Sequence, residues 1–173
     1  MVSKKALAIG AIGATALTIV ATAAAATIVG TSGPDVLGGT AAADQIYGKG
    51  GEDSIQGRGG HDLIRAGDDA DRVWGDDGAD RIAGGAGDDR LHGNPGNDTI
   101  AGDGGNDRIG AGQGRDAIYG NDGDDVLFAR AADHLVDYVN CGPGYDTAAI
   151  RAEDRAVGCE VVNVVTSGDD ESV

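Results

Sequence analysis

The chain has 173 residues, 32 of them Gly, with a formal net charge of −16 and 3% aromatic residues. That length suits one domain, and so few aromatic and large aliphatic side chains exclude the thick core of a compact α/β enzyme. Asp plus Glu number 29 against 13 Lys plus Arg, which excludes a nucleic-acid partner and favours metal cations, because phosphate binding draws on Lys and Arg.

The first 26 residues read as an export signal. Lys4 and Lys5 form a short basic region, Ala6 to Val20 is apolar, and Ala24-Ala25-Ala26 offers a small-residue cleavage site. The alternative is an uncleaved anchor, although the apolar stretch falls short of the ~20 residues a span needs. Cleavage after Ala26 leaves a chain from Thr27 with 11 basic and 29 acidic groups, a net charge of −18. That chain is expected to be secreted, outside the cytoplasm, where calcium is abundant, with no membrane span. Cys141 and Cys159 are the two cysteines, and an even pair in an exported chain reads as a disulfide.

From Gly30 the sequence runs in nines. The eleven consecutive frames are GTSGPDVLG, GTAAADQIY, GKGGEDSIQ, GRGGHDLIR, AGDDADRVW, GDDGADRIA, GGAGDDRLH, GNPGNDTIA, GDGGNDRIG, AGQGRDAIY and GNDGDDVLF, ending at Phe128 without an insertion. Position six is Asp throughout: Asp35, Asp44, Asp53, Asp62, Asp71, Asp80, Asp89, Asp98, Asp107, Asp116 and Asp125. Position eight is always Leu, Ile or Val, while positions one and four are each Gly in nine of the eleven frames. Such regularity marks a repeat architecture.

One large apolar residue per nine predicts a strand of about three residues with a single inward side chain. The remaining Gly-rich residues are expected to form a turn, since Gly tolerates left-handed backbone. Two units make a coil of 18 residues with strands on opposite walls, and coils stack at the strand spacing of about 4.8 Å. Each column of turns then carries a carboxylate at every step, and bare carboxylates at that spacing repel by up to about 1 kcal/mol per pair even in water. A cation is expected between them. Ca²⁺ suits carboxylates and carbonyls in flexible geometry, whereas Mg²⁺ demands tighter octahedral geometry. Zinc fits poorly, because the repeat offers no Cys and no regular His.

These frames resemble the Gly-Gly-x-Gly-x-Asp-x-apolar-x nonapeptides of the RTX, or haemolysin-type, calcium-binding proteins, over 99 of the 173 residues. The resemblance implies an all-β fold, a parallel β-roll (β-solenoid), with Ca²⁺ held between loops two frames apart. One loop would give carbonyls of positions one and three, the other those of positions two and four, and both the Asp of position six. Asp53 and Asp71 would share an ion, as would Asp62 and Asp80, Asp71 and Asp89, Asp80 and Asp98, Asp89 and Asp107, and Asp98 and Asp116. The glycines implied in the sites are Gly48, Gly50, Gly51, Gly57, Gly59, Gly60, Gly75, Gly78, Gly84, Gly85, Gly87, Gly93, Gly96, Gly102, Gly104 and Gly105. Eleven loops paired in this way give at most nine sites. Ala41 and Ala42 in the second frame, and Ala66 and Asp69 in the fifth, predict weaker or missing sites there. Asp68, Asp77 and Asp122 at position three add carboxylates that would tighten or crowd neighbouring sites.

Arg72, Arg90 and Arg108 are expected to stack on one wall, with Arg81 on the other. They form either a solvated face that offsets nearby Asp charge or a stripe that binds a saccharide or other surface partner. After Phe128 the register breaks for twelve residues, Ala129 to Asn140, and Cys141 to Ala149 then reads as a degenerate twelfth frame with Asp146 at position six. Residues 129–165 are expected to cap the roll of residues 27–128, with Cys141 and Cys159 one coil apart, Val161, Val162, Val164 and Val165 as a closing strand, and residues 166–173 as a frayed tail. The sequence contains neither His-Glu-x-x-His nor Gly-x-Ser-x-Gly, and His61, His92 and His134 are scattered. The expected role is therefore non-enzymatic, a calcium-folded structural or interaction module, with an extracellular hydrolase as the remote alternative.

Overall fold

The computed structural model describes residues 17–20, 24–129 and 133–165. Among these there is no helix. Seventeen strands form two parallel sheets, and successive strands alternate between them.

One sheet runs β1 (Leu17–Val20), β3 (Asp35–Gly38), β5 (Ser54–Gln56), β7 (Arg72–Trp74), β9 (Arg90–Pro95), β11 (Arg108–Gln113), β13 (Val126–Ala129), β15 (Thr147–Arg151) and β17 (Val161–Val165). The other holds β2 (Thr27–Val29), β4 (Gln45–Gly50), β6 (Leu63–Asp68), β8 (Arg81–Ala86), β10 (Thr99–Gly104), β12 (Ala117–Asp122), β14 (Tyr138–Asn140) and β16 (Arg155–Val157). Every strand pairs with the strand one coil away, so Ile46 lies beside Ile64, Ile64 beside Ile82, and Leu91 beside Ile109. This is the expected parallel β-roll with coils of 18 residues.

Position eight fills the interior. Ile28, Leu37, Ile46, Ile55, Ile64, Val73, Leu91, Ile100, Ile109, Ile118 and Leu127 are all at most 2% exposed. Many strands are longer than the three residues expected from sequence. β4, β6 and β8 to β12 each span six residues, running through position three of the next frame. The reason is that position one is a second inward position: its Gly or Ala residues are buried and alternate with position eight at the strand period of two. A glycine there adds backbone pairing without needing room for a side chain. The turn shrinks to positions four to six. Position four packs so closely that a Cβ on Gly78 (φ 141°) would collide with the Gly60 carbonyl of the coil before.

The register break is also smaller than expected. Asp116 and Asp137 occupy successive coils, and so do Asp125 and Asp146, each 21 residues apart instead of 18. The coil therefore gains only three residues, and the stretch ending at Asn140 is a frame in its own right, with Val139 buried at position eight and Cys141 buried at the next position one. Cys141 and Cys159 form a disulfide with Cα atoms 5.2 Å apart. β17 closes the stack against β15. β1 lies within the stretch expected to be an export signal, pairs with β3 and buries Ile19. Residues 1–16, 21–23 and the tail 166–173 fall outside the described residues.

Candidate metal centre

Every position-six Asp points inward and is at most 3% exposed. One carboxylate oxygen has a structural task. Oδ1 accepts the backbone N–H of the Asp one coil earlier: Asp53 accepts from Asp35 at 2.8 Å, Asp71 from Asp53 at 2.7 Å and Asp98 from Asp80 at 2.8 Å. Two continuous columns result. One starts with the Ala26 N–H on Asp44 and runs through Asp62, Asp80, Asp98 and Asp116 to Asp137, whose own N–H meets Asp154. The other runs from Asp35 through Asp53, Asp71, Asp89, Asp107 and Asp125 to Asp146, and ends on Glu160. The strand N–H entering each coil is thus satisfied by a side chain, as a buried donor requires.

The second oxygen divides the frames into two kinds. In Asp53, Asp62, Asp71, Asp80, Asp89, Asp98, Asp107, Asp116, Asp125 and Asp146, Oδ2 is buried and accepts no hydrogen bond. In the first two frames it is satisfied. The Thr31 N–H donates to Asp35 Oδ2 at 2.6 Å, and the Thr40 N–H to Asp44 Oδ2 at 2.5 Å. Both threonine hydroxyls also bridge to their own turns: Thr40 Oγ1 lies 3.2 Å from the Ala42 carbonyl and accepts the Ala42 N–H at 3.0 Å.

Backbone conformation explains the division. In the third to eleventh frames, positions two and four both have positive φ, including the non-glycines Lys49, Arg58, Asp69, Asp76, Asn94, Asp103 and Asn121. No residue of the first two frames does. Left-handed backbone at position two turns its N–H away from the carboxylate; the Asn121 N–H donates to the Cys141 carbonyl instead. For non-glycine residues this conformation costs of order 1 kcal/mol each, a strain that collects at ligand sites.

Where position one is glycine, the orphaned oxygen lies beside a carbonyl of the next coil. A Cβ placed on Gly75 would come within 2.5 Å of Asp80 Oδ2 and 2.8 Å of the Gly93 carbonyl, so a carboxylate and the next coil's position-one carbonyl converge there. Gly57 has the same relation to Asp62 Oδ2 and the Gly75 carbonyl, both at 2.5 Å. Among the described residues no group of three or more His, Cys, Asp or Glu side chains comes together. The donor set is instead anionic oxygen plus carbonyl oxygen, the kind hard cations prefer. The residues fit Ca²⁺ on these grounds.

Electrostatics point the same way. Burial, and secondarily the neighbouring carboxylates, push Asp62, Asp71, Asp98 and Asp107 up to about 7, and Asp53, Asp89, Asp116 and Asp125 to about 6, against an ordinary value of 3.8, with the backbone N–H bond opposing. The ionised columns lack a counter-charge, and a cation supplies one.

Of the other expected features, Asp68 and Asp122 are exposed at the ends of β6 and β12, and Asp77 is exposed beside Gly59 of the coil before. The fifth frame keeps an orphaned Asp71 Oδ2 despite Ala66 and Asp69, whereas the second frame, with Ala41 and Ala42, has a satisfied Asp44. Sequence reasoning missed Asp137, although Asp-x-Val directly before the cysteine frame was the available signal, and it did not assign Asp146 to the metal-binding set. The histidines lie apart: His61 Nδ1 accepts the Ala79 N–H, His92 stacks on Trp74, and His134 lies 3.8 Å from Glu153. No helix of the described residues is long and apolar enough to cross a membrane.

No curated protein matches the chain. The family model for the RTX calcium-binding nonapeptide repeat (4 copies) matches residues 20–55, 38–73, 47–82, 74–109 and 102–133, which together span more than half of the sequence. With its nonapeptides, its orphaned aspartates and its parallel roll, the chain belongs to the RTX calcium-binding nonapeptide repeat family.

Proposed function

We propose that the protein is a secreted module folded by several calcium ions, with the ions concentrated between Asp53 and Asp146 and absent from the first two frames. The observation that carries this reading is the set of ten buried Oδ2 atoms without a hydrogen-bond partner. Within Asp53–Asp125, seven pairs one coil apart remain once the threonine-closed frames are set aside, and Asp125 with Asp146 adds one beyond the family match. A bound ion offsets the carboxylate charge, and its binding free energy becomes folding free energy. Ala66 and Ala111 put a methyl group at position one where glycine leaves room, so ions near Asp71 and Asp116 bind more weakly.

The role is structural or adhesive and not enzymatic, since coordinated carboxylates are poor proton carriers. Export with cleavage after Ala26 gives the mature chain its start at Thr27 and exposes the β3 edge, and N-terminal sequencing of the secreted protein checks that point. The main test is a far-UV circular dichroism titration of residues 27–173. A cooperative gain of β signal with Ca²⁺ and not Mg²⁺ is expected. A β-rich spectrum in excess chelator, indifferent to Ca²⁺, overturns the reading.

A further inference from the structure

The outer face of one sheet carries an arrangement that calcium binding does not use. Arg72, Arg90 and Arg108 are register partners on β7, β9 and β11, so three guanidinium side chains start one strand spacing apart, about 4.8 Å. Like charges directly opposite on a sheet are destabilising. In a chain of net charge −16 they have acidic residues to choose from, yet among the described residues none of the three forms an ion pair with a carboxylate.

Beside them runs an aromatic row at position nine. The Trp74 and His92 rings stack with centroids 6.2 Å apart and planes 11° from parallel. Burial, and secondarily the Arg108 guanidinium, hold His92 below its usual value, so at neutral pH it is an uncharged flat ring. Gly110 follows without a side chain, and Arg108 lies 4.4 Å from the centroid of the Phe128 ring. Before Trp74 the row opens into a cleft of about 340 Å³ bordered by Val36, Gly38, Ser54, Gln56, Arg58 and Trp74. On this sheet, the outward residues of β3, β5, β7, β9, β11 and β13 include no Asp or Glu. The opposite sheet exposes Asp68, Asp103 and Asp122 on β6, β10 and β12 and has no such column: Arg81 lies between Leu63 and Thr99, and Ala83 and Ala101 take the place of rings.

We propose that this strip, from the cleft at Trp74 to Phe128, binds a linear acidic polysaccharide whose sugar rings carry carboxylates. Guanidinium forks match carboxylates in two-point hydrogen bonds. Flat aromatic faces receive the apolar faces of sugar rings at low entropic cost. A repeating linear polyanion meets all three arginines at once and removes their mutual repulsion, which an isolated carboxylate on a protein surface cannot do. The strip exists only when the coils are stacked, so the inference rests on the calcium-folded reading.

Trp74 is the sole tryptophan in the chain and reports directly on the strip. In saturating Ca²⁺, titration of the secreted protein with hyaluronan is expected to change Trp74 fluorescence, and titration with neutral dextran is not. Binding is expected to weaken with added salt. Arg90→Gln is expected to lower the affinity by about tenfold, while Arg81→Gln on the opposite sheet leaves it unchanged. Circular dichroism of each variant in Ca²⁺ separates loss of the strip from loss of the roll. No fluorescence change with a calcium-folded protein, equal effects of the two substitutions, tighter binding of dextran sulfate than of hyaluronan, or a dimer in sedimentation that Arg90→Gln dissolves would each overturn the proposal, the last by assigning the strip to a second copy of the chain.

Discussion

At the residue scale, one aspartate does two jobs with its two oxygens. Oδ1 of Asp98 accepts the Asp80 N–H, and Oδ2 is buried without a hydrogen-bond partner, the atom proposed to meet a cation. Asp98→Asn separates the two. The amide oxygen keeps the backbone bond, and the amide nitrogen replaces an orphaned acceptor with a neutral donor. In chelator the variant is expected to be at least as stable as the parent, by up to about 1 kcal/mol, because a buried unsatisfied acceptor has been removed. In Ca²⁺ it is expected to be less stable and to bind fewer ions. Urea denaturation in both conditions, with calorimetric titration, reads this reversal of sign; destabilisation in chelator would mean that Oδ2 has a protein partner. Thr40→Val provides the contrast. It deletes the hydroxyl that closes the second turn while leaving the Thr40 N–H on Asp44. Its expected cost is about 1–2 kcal/mol, equal with and without calcium.

At the element scale, the stacked turns are a column of carboxylates whose proton affinity is higher folded than unfolded. Burial raises Asp62, Asp71, Asp98 and Asp107 to about 7 from 3.8. A group with a raised folded value holds its proton more tightly in the fold. Its stabilising contribution is complete below about 4 and is lost as pH rises through about 6 to 7. The metal-free roll is therefore expected to be most stable near pH 4 and to lose stability, and with it β signal, as pH rises from about 4 to about 7, the window between the unfolded and folded values. Saturating calcium reverses the slope, since the ion binds the deprotonated carboxylate. Thermal melts across that range in chelator and in Ca²⁺ check the crossing, and parallel slopes would exclude the columns as the metal site.

At the scale of the whole molecule, the two ends of the stack are finished differently from its middle. A solenoid exposes strand edges at its ends and needs caps. At the start, Thr31 and Thr40 satisfy their aspartates from within the turn. At the far end the columns pass onto Asp154 and Glu160, and the Cys141–Cys159 disulfide ties the last coils together. Both devices hold without metal, so in the proposed reading calcium dependence falls to the frames between. Cys141→Ala with Cys159→Ala is expected to cost about 3 kcal/mol in the chain-entropy view of an 18-residue loop. Position one accepts the methyl, as Ala66 and Ala111 show. Hydrogen exchange is expected to speed up in β15 to β17 and to stay unchanged in β8 to β11; uniform acceleration would mean that the cap holds the entire roll.

The sequence by itself determined the period, the inward apolar residue and the recurring Asp of each frame, the parallel stacking and the cysteine pairing. Each of these is a local pattern repeated at fixed spacing, so a count of nines and eighteens exposes it. Asp137 escaped because three inserted residues break the count, although the Asp116 N–H still meets its carboxylate one coil on. The tertiary structure alone decided how each carboxylate divides its oxygens, since Oδ1 is taken by a backbone N–H a full coil away. It alone decided that the Thr31 and Thr40 N–H groups satisfy the second oxygen of their aspartates, because that depends on which way a peptide N–H faces at position two. It also set the arginines beside an aromatic row, because residues distant in the chain become neighbours only when the coils are laid one on another. Periodicity is written in one dimension, whereas hydrogen-bond satisfaction and surface adjacency are settled across the stack.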